Sequence, residues 1–301
     1  MESAVVHATA ASLPAGFSLA STRPMPLARR VLMCPPDHFD VVDVKNPFME
    51  GQVGQVRRDA AREEWLALKA VFERIGLDVA VGPATPGSED MVFSANPSFP
   101  GLDASGERVA VLSHMRHPSR RREVAAFDAW YRTQGYRVED LVPKGTVFEG
   151  CGDALWHPGR ALVWGGHGDR TSPAAYPALA RRFDAPVLAL ELSVAPFYHL
   201  DTCLCLVDER TALVHLPALQ PEGRALLSRV VERIVEVDAD EATRCMACNA
   251  AAFLNRHVVI QRGAVRTVAA LRSLGYEVHE VETGEFMKSG GSVFCLKMQV
   301  F

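Results

Sequence analysis

The sequence predicts an α/β fold assembled from a repeated unit. Short β-type runs recur at Val31–Cys34, Arg108–Leu112, Ala161–Trp164, Thr211–His215 and Val258–Ile260; after the long first gap they lie roughly 45 to 50 residues apart. Helix-like segments fall between them, and several run through a glycine into a further short strand, as in Ile75-Gly-Leu-Asp-Val-Ala, Gln134-Gly-Tyr-Arg-Val and Leu274-Gly-Tyr-Glu-Val. Five such units, none able to bury its apolar face alone, point to a closed or propeller-like array rather than an open doubly wound sheet. Periodicity does not choose between those closed forms.

The helices follow from apolar spacing. Over Arg57–Ile75, Trp65, Leu66, Leu68, Val71 and Phe72 form a stripe among charged residues, and Gly76 supplies the stop. Arg122–Gln134, Pro173–Phe183, Pro221–Val235 and Ala264–Leu274 repeat the pattern.

From Arg29 onward no linker, low-complexity tract or charge block interrupts the chain, so residues 29–301 read as one catalytic domain. Residues 1–28, broken by Pro14, Pro24 and Pro26 and lacking a basic start, read as a mobile extension, with a cleaved organelle-targeting peptide as the alternative. No apolar stretch approaches the roughly 18 uncharged residues of a spanning helix. The formal charge of −4 offers no electrostatic case for nucleic acid or an anionic membrane, and a small cation is a compatible partner. Seven cysteines, an odd number without an export signal, indicate reduced thiols and a cytoplasmic chain. Neither Cys245-Met-Ala-Cys248 nor Cys203-Leu-Cys205 has a second ligand pair, so no metal is expected there. The sequence sets no oligomeric state.

Three segments carry candidate chemistry. If Tyr198–Val207 is a strand, alternation places His199, Asp201, Cys203 and Cys205 on one face. An imidazole beside a carboxylate is costly to bury without partners or a cavity, although a satisfied core histidine is the plainer reading. In Ser289-Gly-Gly-Ser-Val-Phe-Cys-Leu-Lys-Met, two glycines precede a final strand with Cys295 opposite Phe294, Leu296 and Met298. A thiol there becomes a strong nucleophile only as thiolate, and taken alone it reads first as a buried inert cysteine. In Thr146-Val-Phe-Glu-Gly-Cys-Gly-Asp-Ala154, Glu149 and Asp153 flank glycines, either to hold a planar cation by paired hydrogen bonds or to shape a turn. Asn46, Asn96, Arg116 and Arg170 sit in loops after strand ends, where arginines suit a substrate carboxylate.

Taken in order, Met33-Cys-Pro-Pro-Asp-His-Phe-Asp40, Asn46-Pro-Phe-Met49, Phe93-Ser-Ala-Asn96, Phe148-Glu-Gly-Cys-Gly-Asp-Ala154, Phe197-Tyr-His-Leu-Asp-Thr-Cys203, Ala247-Cys-Asn249 and Gly290-Gly-Ser-Val-Phe-Cys295 resemble the guanidine-modifying superfamily. That superfamily includes arginine deiminases, dimethylarginine dimethylaminohydrolases and amidinotransferases, and the likeness is strongest to its arginine dihydrolase branch. The resemblance implies a pentein-type five-bladed α/β propeller of ββαβ-like units. It also implies Cys295 as nucleophile, His199 as acid/base, Glu149 and Asp201 as guanidinium ligands, and Arg116 and Arg170 as binders of an α-carboxylate. Asp153 matches the family's Gly-Asp motif, as a substrate contact or a support for Glu149. Asn96 stands where deiminases have aspartate, and with Asn46 it follows the dihydrolase pattern. The implied reaction takes arginine to ornithine, ammonia and carbon dioxide through a covalent thiouronium, with no cofactor or metal; the alternatives are a citrulline-forming deiminase or dimethylaminohydrolase, and an amidinotransferase. Pro97-Ser-Phe-Pro100 and Asp169 depart from the pattern beside proposed contacts.

Overall fold

The computed structural model describes residues 5–193 and 195–301. Its strands form five separate sheets, each built the same way. A short first strand pairs antiparallel with a middle strand; a helix then leads to an outer strand parallel to that middle one. Ser98–Leu102, Arg108–Leu112 and Arg137–Glu139 make one such sheet around the helix Pro118–Thr133. The next three follow in chain order with middle strands Val163–His167, Thr211–Val214 and His257–Gln261.

The remaining sheet joins the two ends of the domain. Arg30–Met33 pairs in parallel with Asp78–Val81 and antiparallel with the chain's last strand, Met298–Val300, which places Met298 opposite Leu32. The array is mixed α/β, and the five middle strands fall on the five runs predicted from sequence.

Burial explains the helices. In Arg58–Arg74 the residues Ala61, Trp65, Leu68, Val71 and Phe72 are buried, the one-face spacing of a 3.6-residue period. Burying Leu68 and Phe72 stabilises the fold by roughly 1.5–3 kcal/mol each. Gly76, Gly135 and Gly275 follow three of these helices with φ between +75° and +90°, a backbone state that favours glycine and turns the chain into the outer strand. The helix expected over Pro221–Val235 stops at Val230, because Arg233–Glu236 is needed as an outer strand beside Thr211–Val214.

Two expected strands are corrected. Only Leu204–Leu206 of the Tyr198–Val207 segment is a strand; Leu200–Thr202 is a 3-10 turn, so His199, Asp201, Cys203 and Cys205 do not share one sheet face. Cys295 likewise lies in a turn, and the final strand starts at Met298. The short strands have room for about three residues, and the preceding turns do the positioning.

Residues 1–4 of the expected mobile extension lie outside the described residues. From Val5 the segment packs against the domain: Val6–His7 pairs in parallel with Val187–Leu188, and Leu13 and Met25 are buried. Apolar partners on the sheet around Val163–His167 give those side chains a reason to dock. No helix among the described residues is long and apolar enough to cross a membrane.

Candidate active site

Each sheet's first strand is entered from a turn, and these turns supply the candidate groups. Asn96 precedes Ser98–Leu102, Glu149 and Asp153 precede Ala154–Trp156, and His199 and Asp201 precede Leu204–Leu206. Asn249 precedes Ala251–Phe253, and Cys295 precedes Met298–Val300. The repeat thus brings residues some two hundred positions apart to one place.

Cys295 is the hub. Its thiol donates to Asp201 Oδ2 at 3.1 Å, and Asn249 Nδ2 donates to its Sγ at 3.2 Å. Asn249 Oδ1 accepts from the backbone N–H of Ser292 at 2.9 Å and of Cys295 at 3.3 Å, so one amide both pins the turn and touches the sulfur. Gly290 enters that turn at φ +83°, and a Cβ there would meet Asn46 Oδ1 at 2.7 Å. Burial and the Asp201 carboxylate push the Cys295 thiol well above the usual thiol range. Burial also raises Asp201 to about 7 against the lowering effects of Cys295, Lys297 and Asn249. Cys295 and Asp201 thus form a buried thiol–carboxylate pair, with Lys45, Arg120 and Arg170 among the residues around the neighbouring cavity.

His199 and Glu149 form a second buried pair, 2.7 Å apart between Nε2 and Oε2. Glu149 Oε1 accepts from the backbone N–H of Arg116 at 3.0 Å, and Oε2 also accepts from Arg170 Nη1 at 3.1 Å. Burial raises this carboxyl, but His199 and then Arg170 outweigh it and hold it well below the usual carboxylate range. Both oxygens of Glu149, expected as a guanidinium ligand, are therefore already engaged. Asp153 accepts from the backbone N–H of Leu200 at 2.9 Å, which ties the Glu149 turn to the His199 turn.

A small cavity of about 20 Å³ opens beside Cys295, walled by Asn46, Asp90, Phe93, Asn96, Arg120, Arg170, Tyr198 and Ser289 among others. Asn46 caps the turn Pro47–Met49 and donates to Ser289 O at 3.0 Å. Asn96 Oδ1 accepts from Arg120 Nη1 at 2.8 Å, which assigns the amide orientation and leaves Nδ2 buried without a partner. Asp201 Oδ1 and His199 Nδ1 are likewise buried and unpartnered. Of these three, Asn96 belongs to the cavity wall, and an unmet donor there marks where a polar ligand gains most.

Arg170 is buried, donates to Lys45 O at 2.7 Å and lies over the Tyr198 ring at 4.8 Å. Arg116 is not brought into the cavity wall: its half-exposed guanidinium reaches the backbone O of Asp169 at 2.7 Å and its carboxylate at 3.1 Å. Asp169, noted from sequence as a departure, is what holds it. A larger cavity of about 70 Å³ near Lys297 contains none of the candidate groups, so size does not locate the chemistry here.

Four neighbours were not assigned from sequence. Asn249 touches the sulfur, and Asp90 reaches Lys45 Nζ at 3.0 Å and Ser289 Oγ at 3.1 Å. Arg120, paired with Glu123 at 2.9 Å, fixes Asn96. Lys297 is buried with its ammonium 3.2 Å from the Phe294 ring centroid, and burial lowers it to about 8. A search for polar residues just ahead of each short first strand would have found Asn249, two residues before Ala251.

Residues 36–301 match the family model described as N,N dimethylarginine dimethylhydrolase, eukaryotic. The chain is 36% identical over 279 residues to the bifunctional arginine dihydrolase/ornithine cyclodeaminase ArgZ of Synechocystis sp., covering 90% of this chain and 37% of that protein. It thus spans well under half the length of that relative. It is also 33% identical over 278 residues to the N(G),N(G)-dimethylarginine dimethylaminohydrolase of Mycobacterium tuberculosis, covering 92% and 88%. The N-terminal domain of ArgZ, solved in a product-bound form and described as an arginine dihydrolase, superposes with a TM-score of 0.84 at 33% identity over 90% of this chain and 97% of that one. Another structure of that domain holds a covalently bound reaction intermediate. By these matches the chain belongs to the dimethylarginine dimethylhydrolase family, within the guanidine-modifying superfamily that also contains the arginine dihydrolases.

Proposed function

We propose that this chain is a cysteine-dependent guanidine hydrolase of arginine dihydrolase type, taking arginine and two waters to ornithine, two ammonia and carbon dioxide. The observation that carries this reading is Asn96, whose orientation is assigned by Arg120 and whose Nδ2 is left free beside Cys295's cavity. An N–H donor there suits the neutral oxygen of a citrulline-like intermediate better than an aspartate would.

A guanidinium entering the cavity brings the positive charge that the Cys295–Asp201 pair lacks. Asp201 Oδ1 accepts one of its N–H groups, and the thiol proton passes to a carboxylate already raised to about 7. Sulfur attacks the guanidinium carbon; His199 protonates the departing amine, which leaves as ammonia, and a thiouronium remains on Cys295. His199, held by Glu149, then takes a proton from water, whose oxygen displaces sulfur to give citrulline. A second pass over the ureido carbon, held by Asn96 and Asn46, releases the second ammonia and carbon dioxide. Arg170 and Arg116 are proposed to receive the α-carboxylate. No cofactor or metal takes part in these steps, and the partner is the small guanidino substrate.

The family match favours a second reading, in which a methylated arginine is hydrolysed once, to citrulline and the methylamine. The repeated build of the five sheets, and the pairing of Met298–Val300 with Arg30–Met33, support a pentein-type five-bladed α/β propeller over residues 29–301 as one catalytic domain. Seven free cysteines are in keeping with a cytoplasmic setting. Incubation with arginine, methylated arginines and agmatine, with ammonia and amino-acid products quantified, tests the assignment. Two ammonia and one ornithine per arginine are expected; citrulline as the sole end product overturns the dihydrolase reading.

A further inference from the structure

The sheet that follows Asn249 carries a group of side chains with unused binding capacity. His257 begins its middle strand, and Glu277 and His279 lie on the parallel outer strand; the register pairs His257 with Glu277 and Val259 with His279. The two-residue period of a strand puts all three side chains on one face. Because Phe253 pairs with His257 in the antiparallel first strand, the group lies at the end of the sheet away from Asn249 and Cys295.

His257 Nδ1 is 3.2 Å from His279 Nε2 and also 3.2 Å from Glu277 Oε2. Those three atoms all lie within 4.8 Å of one another. One proton at Nδ1 serves two acceptors poorly, since it can point well at only one. A tetrahedral ion with ligand bonds of about 2.0–2.1 Å sets its ligand atoms about 3.3 Å apart, close to both separations. Support comes from outside the group as well. Glu277 Oε1 accepts from Arg256 Nε at 2.8 Å, which orients the carboxylate with Oε2 toward His257. Arg74 is a further charged neighbour of His279.

We propose that His257, Glu277 and His279 form a binding site for a zinc-class divalent cation that clips the last two strands of this sheet together, apart from the reaction at Cys295. Two imidazoles and one carboxylate suit a borderline-soft transition ion, whereas magnesium and calcium require oxygen ligands. The positive charges of Arg74 and Arg256 disfavour a cation held by charge alone, and they further select one bonded by imidazole nitrogen.

Zinc chloride titrated calorimetrically into the full chain carrying Cys295→Ala removes the catalytic thiol as a competitor. One equivalent is expected to bind. Adding His279→Ala, or His257→Gln in a second chain, is expected to weaken binding by more than the roughly 10- to 100-fold that loss of an outer partner costs, with unchanged circular dichroism. If one histidine variant does not fold, the other decides. No binding by the Cys295→Ala chain, or equal binding by a folded histidine variant, overturns the site.

Discussion

Cys295 Sγ and Asp201 Oδ2 lie 3.1 Å apart in a fully buried setting, a thiol donating to a carboxylate that is itself raised to about 7. Because the folded value of Asp201 lies above the roughly 3.9 of an unfolded aspartate, the fold favours the protonated form. The stability linked to it is full below about pH 4 and is lost as pH rises through 7. Asp201→Asn mimics the protonated state. Its melting temperature is expected to exceed that of the parent at pH 8 and to converge with it near pH 4, while kcat falls by about 100-fold or more. Thermal melts at both pH values check this, and a variant less stable than the parent at pH 8 contradicts it.

Glu149 holds His199 and is held in turn by Arg116 and Arg170. Glu149→Gln keeps the shape but removes the charge that orients the imidazole. We expect kcat to fall by about 100- to 10,000-fold, the range of general acid–base catalysis, with little change in KM. Steady-state kinetics separate this from a binding role, in which KM would rise while kcat held.

Much of the fold was legible because its signals are local. The middle strand Arg108–Leu112 is five residues of near-continuous apolar character, and Trp65, Leu68 and Phe72 announce a helix by spacing alone. The first strands were less legible: Leu204–Leu206 is too short for alternation to show, and the apolar residues that follow Asp201 extend the pattern beyond it. The site was legible as a set of motifs, yet not as a geometry. Nothing local states that Asn249 spans the 46 positions to Cys295, or that Arg120 orients Asn96. Those contacts depend on how the separate sheets pack together, and so does the engagement of both Glu149 oxygens by His199, Arg116 and Arg170.

Asn96→Asp would place a charge opposite Arg120 and remove the free N–H donor. The product ratio from arginine is expected to shift from ornithine toward citrulline, with the first ammonia still released. Amino-acid analysis of timed samples reads the ratio; an unchanged one removes Asn96 from the second step.

Asp169 restrains Arg116 through an exposed ion pair, of the kind worth about 0.2–1 kcal/mol. Asp169→Ala frees the guanidinium while leaving the backbone contact. KM for arginine is expected to fall by up to about fivefold, with kcat unchanged. Agmatine, which lacks the α-carboxylate, serves as the control. An equal change for both substrates would remove Arg116 from carboxylate recognition.

On the proposed mechanism the thiol of Cys295 carries the substrate as a covalent adduct. Acid quenching of the enzyme during turnover of arginine, followed by intact-protein and peptide mass spectrometry, reads that adduct. A transient adduct on the peptide containing Cys295, absent from Cys295→Ala together with all ammonia release, is the predicted result; turnover by Cys295→Ala, or an adduct on another cysteine, would contradict it.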